Sequence, residues 1–590
     1  MAAAAAACVG MLRRACATYG GYHVVAPALP SWVSPLRRIT SHSSASLLAL
    51  ANLPLAVDVD DRRTAGVDGS NSFAAQGCSA VPRNSGIVCT IGPRSEAMEP
   101  LEDVLKSGMT CMRMNFSHGQ YDEQGARVDN LQNILKQRRA NGISQEATTE
   151  LCAMAVDTKG PEVRTGMLVG GEKVQVLPGQ TFTLHTNELW RNKGDATGVF
   201  VDHPLHNSVV TGSRIFLDDG LVELEVSEVS GDDVVCRALN GGLLGERKGV
   251  NCPGTTLDLP PFTEYDASVL SWGVKRGVDA VFASFIRSGD DVRAMRSFLD
   301  AEVEKQGGRR VAIYSKVEAE EALANIDEII EESDGIMVAR GDLAIEVPYD
   351  LVPIAQKSII AKCRLAGKPC IVATQMLDSM EKKPRPTRAE ANDVVGAVLD
   401  GADCVMTSGE TTLGEHPALV VRTMAQLCRR GEHAASMLAD PFAPLSLLPR
   451  PGAYFAELDA AALSAASAAP RGSMLVLPCT DASFVRAVMR QRPACDVVIC
   501  PTSDEAVANE LLFVSGATPL LVSDVDDSSP AHGTFSSLRR ATTARWSSGD
   551  AADVAKLERL SKVATEYAEA VGISREHIVW ATEKNVVRIR

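Results

Sequence analysis

No run of apolar residues in this chain approaches the roughly 20 needed to cross a bilayer. The longest candidate, SLLALANLPLAV, is short and interrupted by Pro54, so no membrane role is expected. Aromatic residues supply only 5% of the 590 positions, and 59 Lys and Arg are outnumbered by 74 Asp and Glu. Single-strand binding needs stacking aromatics and duplex binding needs a basic face, so no nucleic-acid partner is expected at a net charge of -15. CxxC pairs and zinc-like spacings are absent. Many of the 15 cysteines sit in apolar runs, such as Cys89 in IVCTI, Cys370 in PCIVAT and Cys404 in ADCVM. They read as buried, reduced thiols.

One absence is local. Residues 1 to 57 contain no Asp, Glu or Lys, yet they carry Arg13, Arg14, Arg37, Arg38, many alanines and the run SHSS. That is the composition of an organellar transit peptide, mitochondrial ahead of plastid. The arginines follow the apolar segment, so a secretory signal fits less well. Residues 1–82 are therefore expected to be an extension; without targeting, the cytoplasm is the default compartment.

What is present, from residue 86 onward, is a rhythm. Short β-branched runs alternate with amphipathic stretches: IVCTI (87–91), CMRMNF (111–116), AMAVD (153–157), DAVFAS (279–284), VAIYSK (311–316), GIMVA (335–339), PCIVATQ (369–375) and ADCVMTS (402–408). The helix-like LVPIAQKSIIAKCRLAG ends at Gly367, a C-cap, with Pro369 just beyond. Eight strands separated by helices predict a (β/α)8 barrel, an α/β fold. Each run turns polar at its C-terminal end, where such barrels carry their sites.

The barrel is expected over 83–163 and 258–430. Residues 164–257, with EKVQVLPGQTFTLHT and GSRIFLDDGLVELEVSEV, read as an inserted small β-barrel lid domain returning through LDLPPFT. MLVLP, CDVVICP and TPLLVSD suggest a C-terminal three-layer α/β domain over 440–590.

The run ends carry chemistry. Arg113, Asn115 and Ser117 recur at period two, so a continuous strand would set them on one face. Arg offers a fork for phosphate, and Asn and Ser offer neutral oxygens to a hard cation. Asp157 and Thr158 add a carboxylate and another oxygen, a set that suits a monovalent ion. A hydrogen-bonded polar cap on the barrel satisfies the same spacing. Lys316 and Glu318 share a face, and Glu318 with Asp342 could hold Mg²⁺. A Lys there would neutralise charge on a transferring phosphoryl or an enolate. Gly341 permits close approach of an anion, and Thr374 offers a hydroxyl for proton relay.

These stretches, GIVCTIGPRS, GMTCMRMNFSHG, DTKGPEVRTG, GSRIFLDDG, FASFIR, ESDGIMVARGDLAIEVP, GKPCIVATQML and SGET among them, resemble the pyruvate kinase family over residues 86 to about 425. The resemblance implies phosphoryl transfer from phosphoenolpyruvate to ADP, giving pyruvate and ATP, by a homotetramer that needs Mg²⁺ and K⁺. It implies Arg113, Lys316 and Thr374 as catalytic groups, with Gly341 and Asp342 also at the phosphoenolpyruvate. It implies Glu318 and Asp342 on Mg²⁺; Asn115, Ser117, Asp157 and Thr158 on K⁺; and Asn115, His118, Arg164 and Arg214 at the nucleotide. Glu162 stands where K⁺-dependent members carry Glu. The chain departs from the family pattern at Ala319, Ala344, Asn392, Gly396 and Arg214, where Asn, Gly, Ser, Asn and Lys are usual. Two loops that bind fructose bisphosphate in regulated members are altered: the first reads LPCTDASF, and the second is reduced to Glu583-Lys584-Asn585. A Mg²⁺-dependent barrel lyase shares the paired carboxylates but leaves the lid without a task. A catalytically impaired regulatory subunit is the other alternative.

Overall fold

The computed structural model describes residues 83–117, 119–140, 151–438, 456–521, 560–561, 564–569, 571–581 and 586–588. The expected targeting segment, His118 and the loop 583–585 lie outside the described residues.

Three strands open the fold: β1 (Gly86–Thr90), β2 (Cys111–Asn115) and β3 (Ala153–Asp157). Eight follow between them and the rest of the barrel: β4 (Val174–Val176), β5 (Thr181–His185), β6 (Gly198–Phe200), β7 (Arg214–Leu217), β8 (Val222–Ser230), β9 (Asp233–Ala238), β10 (Gly242–Leu244) and β11 (Val250–Asn251). Then come β12 (Ala280–Ala283), β13 (Ala312–Val317), β14 (Gly335–Ala339), β15 (Cys370–Ala373) and β16 (Cys404–Thr407). With β1 to β3 these close a barrel in the order β1-β16-β15-β14-β13-β12-β3-β2. Every pairing in it is parallel.

Local sequence explains the helices between the strands. Thr263 with Asp266, Ser288 with Asp291 and Thr387 with Glu390 form reciprocal capping boxes. The helix Val352–Ala366 stops at Gly367, whose φ of +67° belongs to the left-handed C-cap.

Period two organises the barrel interior. Cys111, Ala153, Ala155, Ala280, Phe282, Ala312 and Tyr314 share one buried cluster. Continuing each strand by the same parity toward its C-terminal end reaches Arg113, Asp157, Ser284 and Lys316. The interior is thus apolar below and polar at the mouth. The bottom is stoppered from outside the barrel by Phe513, whose ring centroid lies 4.8 Å from Tyr314 and 6.4 Å from Phe282.

Between β3 and β12 the chain builds a six-stranded sheet, β11-β7-β8-β9-β5-β6, and a two-stranded one, β10-β4. Phe182, Leu184, Ile215, Leu217, Val222, Leu224 and Val234 alternate with outward residues to give it its own core. Arg287, just after β12, clamps the return segment by donating to the carbonyls of Leu257 (3.3 Å) and Leu259 (2.7 Å). Asn251 donates to Glu346 of the barrel at 2.7 Å.

A second α/β layer contains β17 (Met474–Val476), β18 (Val497–Thr502), β19 (Ala517–Leu521), β20 (Ile578–Ala581) and β21 (Val586–Arg588), ordered β19-β18-β17-β20-β21. The described cysteines are all free, and all but Cys495 are buried. Burial pushes the Cys89 thiol up to about 12, which keeps it unreactive. Among the described residues no helix is long and apolar enough to cross a membrane.

Candidate active site

The mouth of the barrel holds a chain of alternating charges. Arg113 Nε donates to Asp157 Oδ2 at 2.6 Å. Asp157 Oδ1 accepts from Lys316 Nζ at 3.1 Å, and Lys316 Nζ lies 2.9 Å from Glu318 Oε1. All four side chains are buried. Arg113 reaches across to β1, donating from Nη1 to Thr90 Oγ1 at 2.8 Å. Glu318 Oε2 accepts the backbone N–H of Phe285 at 2.6 Å.

Buried charges survive only when paired. Burial alone would raise Asp157, but Arg113 and Lys316 overcome it and hold the carboxyl below its usual range. Burial would lower Lys316, but Asp157 and Glu318 outweigh it and raise the ammonium, which stays charged. Glu318 is raised to about 7: burial dominates, Lys316 opposes it, and the nearby Asp342 adds to it.

Asp342 lies half-buried in the helix Arg340–Glu346, and its carboxylate has no hydrogen-bond or ion-pair partner among the described residues. Two carboxylates near one another, one with its proton affinity raised and one unpartnered, are the donor set a divalent cation relieves. No third His, Cys, Asp or Glu completes a metal cluster among the described residues, leaving any such ion open to substrate oxygens.

Gly341 and Thr374 form a tight contact. A Cβ built on Gly341 would stand 2.8 Å from Thr374 Cγ2. Thr374 sits at φ +76° and Gln375 at +55°, a backbone that β-branched residues rarely adopt. Arg340 pins this turn, donating to the carbonyls of Ala373 (3.1 Å) and Thr374 (2.6 Å) while bound to Asp393 at 2.6 Å. The Thr374 hydroxyl makes no hydrogen bond among the described residues.

The remaining candidates are placed as follows. β2 ends at Asn115, so Ser117 is not a third residue of the strand face but lies in the following turn. Asn115 Oδ1 accepts the Ser117 N–H at 3.0 Å. The Thr158 carbonyl accepts from Ser284 Oγ at 2.6 Å. Arg164 leads into the lid, bound to Glu162 by Nε at 2.7 Å and to the Arg247 carbonyl at 2.9 Å. Arg214, on β7, is exposed and paired with Glu223 and, at 3.9 Å, with Glu225 on the lid's own sheet. None of its bonds ties it to the barrel mouth. Glu410 of SGET is structural: buried, it accepts the N–H groups of Leu377 (3.1 Å) and Ser408 (2.6 Å).

Sequence reasoning missed Ser284, Thr90 and Arg340. Ser284 Oγ accepts from Lys316 Nζ at 2.8 Å and lies 3.3 Å from Asp157, so it orients the lysine. Its signal was the polar end of the run DAVFAS. Nothing in the spacing marks Arg340 off from an ordinary surface arginine.

Comparison with known proteins agrees with this geometry. Residues 82–421 match the family described as the barrel domain of pyruvate kinase. Human pyruvate kinase PKLR is 41% identical over 447 residues, covering 74% of this chain and 75% of that protein. Pyruvate kinase of Geobacillus stearothermophilus is 39% identical, covering 74% and 71%. A crystal structure of a pyruvate kinase from Cryptosporidium parvum superposes with a TM-score of 0.73 at 31% identity, covering 86% of this chain and 96% of that one.

Proposed function

We propose the following division of labour for this chain, which belongs to the pyruvate kinase family and transfers a phosphoryl group from phosphoenolpyruvate to ADP. The observation that carries it is the buried series Arg113–Asp157–Lys316–Glu318 at the barrel mouth. Arg113 and Lys316 bind the phosphoryl group. Lys316, held charged by two carboxylates and Ser284, offsets negative charge on the phosphoryl and on the enolate it leaves. The preorganisation costs nothing at the moment of transfer, because the ammonium is already fixed.

Glu318 and Asp342 would hold Mg²⁺, and Asn115, Ser117, Asp157 and the Thr158 carbonyl would hold K⁺. When bound, these ions supply positive charge against the phosphates. Gly341 lets the substrate carboxylate approach backbone N–H groups, and the uncommitted Thr374 hydroxyl stands on the proton path to enolpyruvate. Asn115, His118, Arg164 and Arg214 face the nucleotide. Arg214 must first leave Glu223, which lid closure onto ADP would demand. Residues 1–57 act as an organellar address, and the working assembly is a homotetramer.

The test uses the purified full chain with phosphoenolpyruvate, ADP, Mg²⁺ and K⁺. Pyruvate and ATP should form in equal amounts, and chelating the divalent ion should stop both. Pyruvate without ATP would point to a lyase-like or hydrolytic reaction; neither product would point to a regulatory subunit.

A further inference from the structure

Ser284 bridges two strand ends at the barrel mouth. Its backbone N–H donates to Thr158 Oγ1 at 3.0 Å and its hydroxyl to the Thr158 carbonyl at 2.6 Å, so two bonds tie it to the segment just after β3. Its Oγ also accepts from Lys316 Nζ, on β13, at 2.8 Å. The next residue, Phe285, sits at φ +55° and gives its N–H to Glu318 at 2.6 Å. Gly160 leaves no slack against the segment, because a Cβ there would stand 2.9 Å from Ser284 Cβ. Resting on the assignment of Asp157 and the Thr158 carbonyl to the monovalent cation, we propose that Ser284 is a positioning residue that couples occupancy of that cation site to release of Lys316 toward the substrate phosphoryl.

Hydrogen-bond counting leads there. An ammonium has three N–H bonds. Lys316 commits all three, to Ser284 at 2.8 Å, Glu318 at 2.9 Å and Asp157 Oδ1 at 3.1 Å. A substrate oxygen reaches the ammonium only when one of these partners yields. Asp157 makes the longest of the three bonds, and its other oxygen already has Arg113 at 2.6 Å.

A serine hydroxyl has one proton. Two acceptors lie within its reach, the Thr158 carbonyl at 2.6 Å and Asp157 Oδ1 at 3.3 Å. The shorter bond holds the proton here. A carbonyl that shares its oxygen with a cation is a weaker acceptor, and the proton then turns to Asp157 Oδ1, the same atom that Lys316 must leave. Ser284 thereby replaces the lysine's bond to that carboxylate with its own. Its lone pair still accepts from Lys316, which keeps the ammonium aimed while Asp157 lets go. Ser284, Asp157 and Thr158 are each at most 2% exposed, so bulk water does not compete for these bonds.

The experiment is equilibrium binding of phosphoenolpyruvate to the full chain, with Mg²⁺ and without ADP, measured by calorimetry in K⁺ and in tetramethylammonium at equal ionic strength. In the wild type, K⁺ should tighten binding about fivefold or more. In Ser284→Ala that ratio should fall to within about twofold of unity. Lost packing alone would weaken binding equally in both buffers; a wild-type ratio in Ser284→Ala therefore overturns the role of Ser284. Should that variant fold poorly, Ser284→Cys carries the test: its weak S–H donor should give an intermediate ratio, and a wild-type ratio overturns the role. A wild type indifferent to K⁺ would remove the cation assignment itself, and the coupling with it.

Discussion

Residue 341 has room for a hydrogen and nothing more: a Cβ there would sit 2.8 Å from the Thr374 methyl. The turn cannot yield cheaply, because Arg340 holds the Thr374 carbonyl at 2.6 Å and Thr374 is already at φ +76°. Gly341→Ala should therefore move the hydroxyl that is assigned to the proton path. Overpacking of this kind costs about 1–3 kcal/mol, and misplacement by an ångström can cost about 10²-fold in rate. Steady-state kinetics beside a thermal melt checks both; wild-type kinetics would show that the contact has slack.

K⁺ dependence is the second expectation. Glu162 is a carboxylate committed to Arg164 at 2.7 Å, so position 162 supplies no cation of its own. In buffer free of K⁺ and Na⁺, with an organic cation holding ionic strength, activity should fall about tenfold or more. Glu162→Lys should narrow the gap. Undiminished activity of the wild type without K⁺ would sink the claim.

Asp279 gives a pH dependence. It lies at the foot of β12, accepting from Arg309 at 2.6 Å, the Met154 N–H at 2.8 Å and Asn509 at 3.0 Å. Burial still raises it to about 6, against the opposing Arg309. The native state then binds the proton more tightly than the unfolded chain, whose Asp titrates near about 4. This group's contribution is fully present below that value and is lost as pH rises through 6, about 2–3 kcal/mol in all. Wild type should lose more Tm between pH 5 and 7.5 than Asp279→Asn. Parallel profiles would remove Asp279 as the cause.

Fructose bisphosphates should not activate. In the turn LPCTDASF the Asp481 carboxylate accepts the Ser483 N–H at 2.8 Å, taking a donor an anion would use and placing negative charge there. A several-fold fall in apparent KM for phosphoenolpyruvate with fructose 1,6- or 2,6-bisphosphate would contradict this reading.

The barrel was legible because strand parity is written in sequence. Arg113 and Lys316 continue the inward faces of Cys111 and Tyr314, and polar run ends betray the mouth. Asn115 and Ser117 show the limit of that rule: the strand ends between them, and a turn replaces the alternation. Ser284, Thr90 and Arg340 act through neighbours far away in the chain, and Phe513 reaches the barrel floor from another layer. No local pattern encodes such meetings.

The central claim rests on Lys316, whose Nζ lies 2.8 Å from Ser284, 3.1 Å from Asp157 and 2.9 Å from Glu318. Lys316→Met removes the fixed charge and leaves the buried Glu318 without its cation, while Asp157 keeps Arg113, so some stability, about 3–5 kcal/mol, should go with it. The direct measurement is ATP formation from phosphoenolpyruvate and ADP at saturating substrate, on variant protein whose circular dichroism shows it folded at the assay temperature. A fall in kcat of about 10²-fold or more is predicted. Turnover within about tenfold of wild type, equivalent to less than about 1.4 kcal/mol of barrel-mouth stabilisation, would contradict the account.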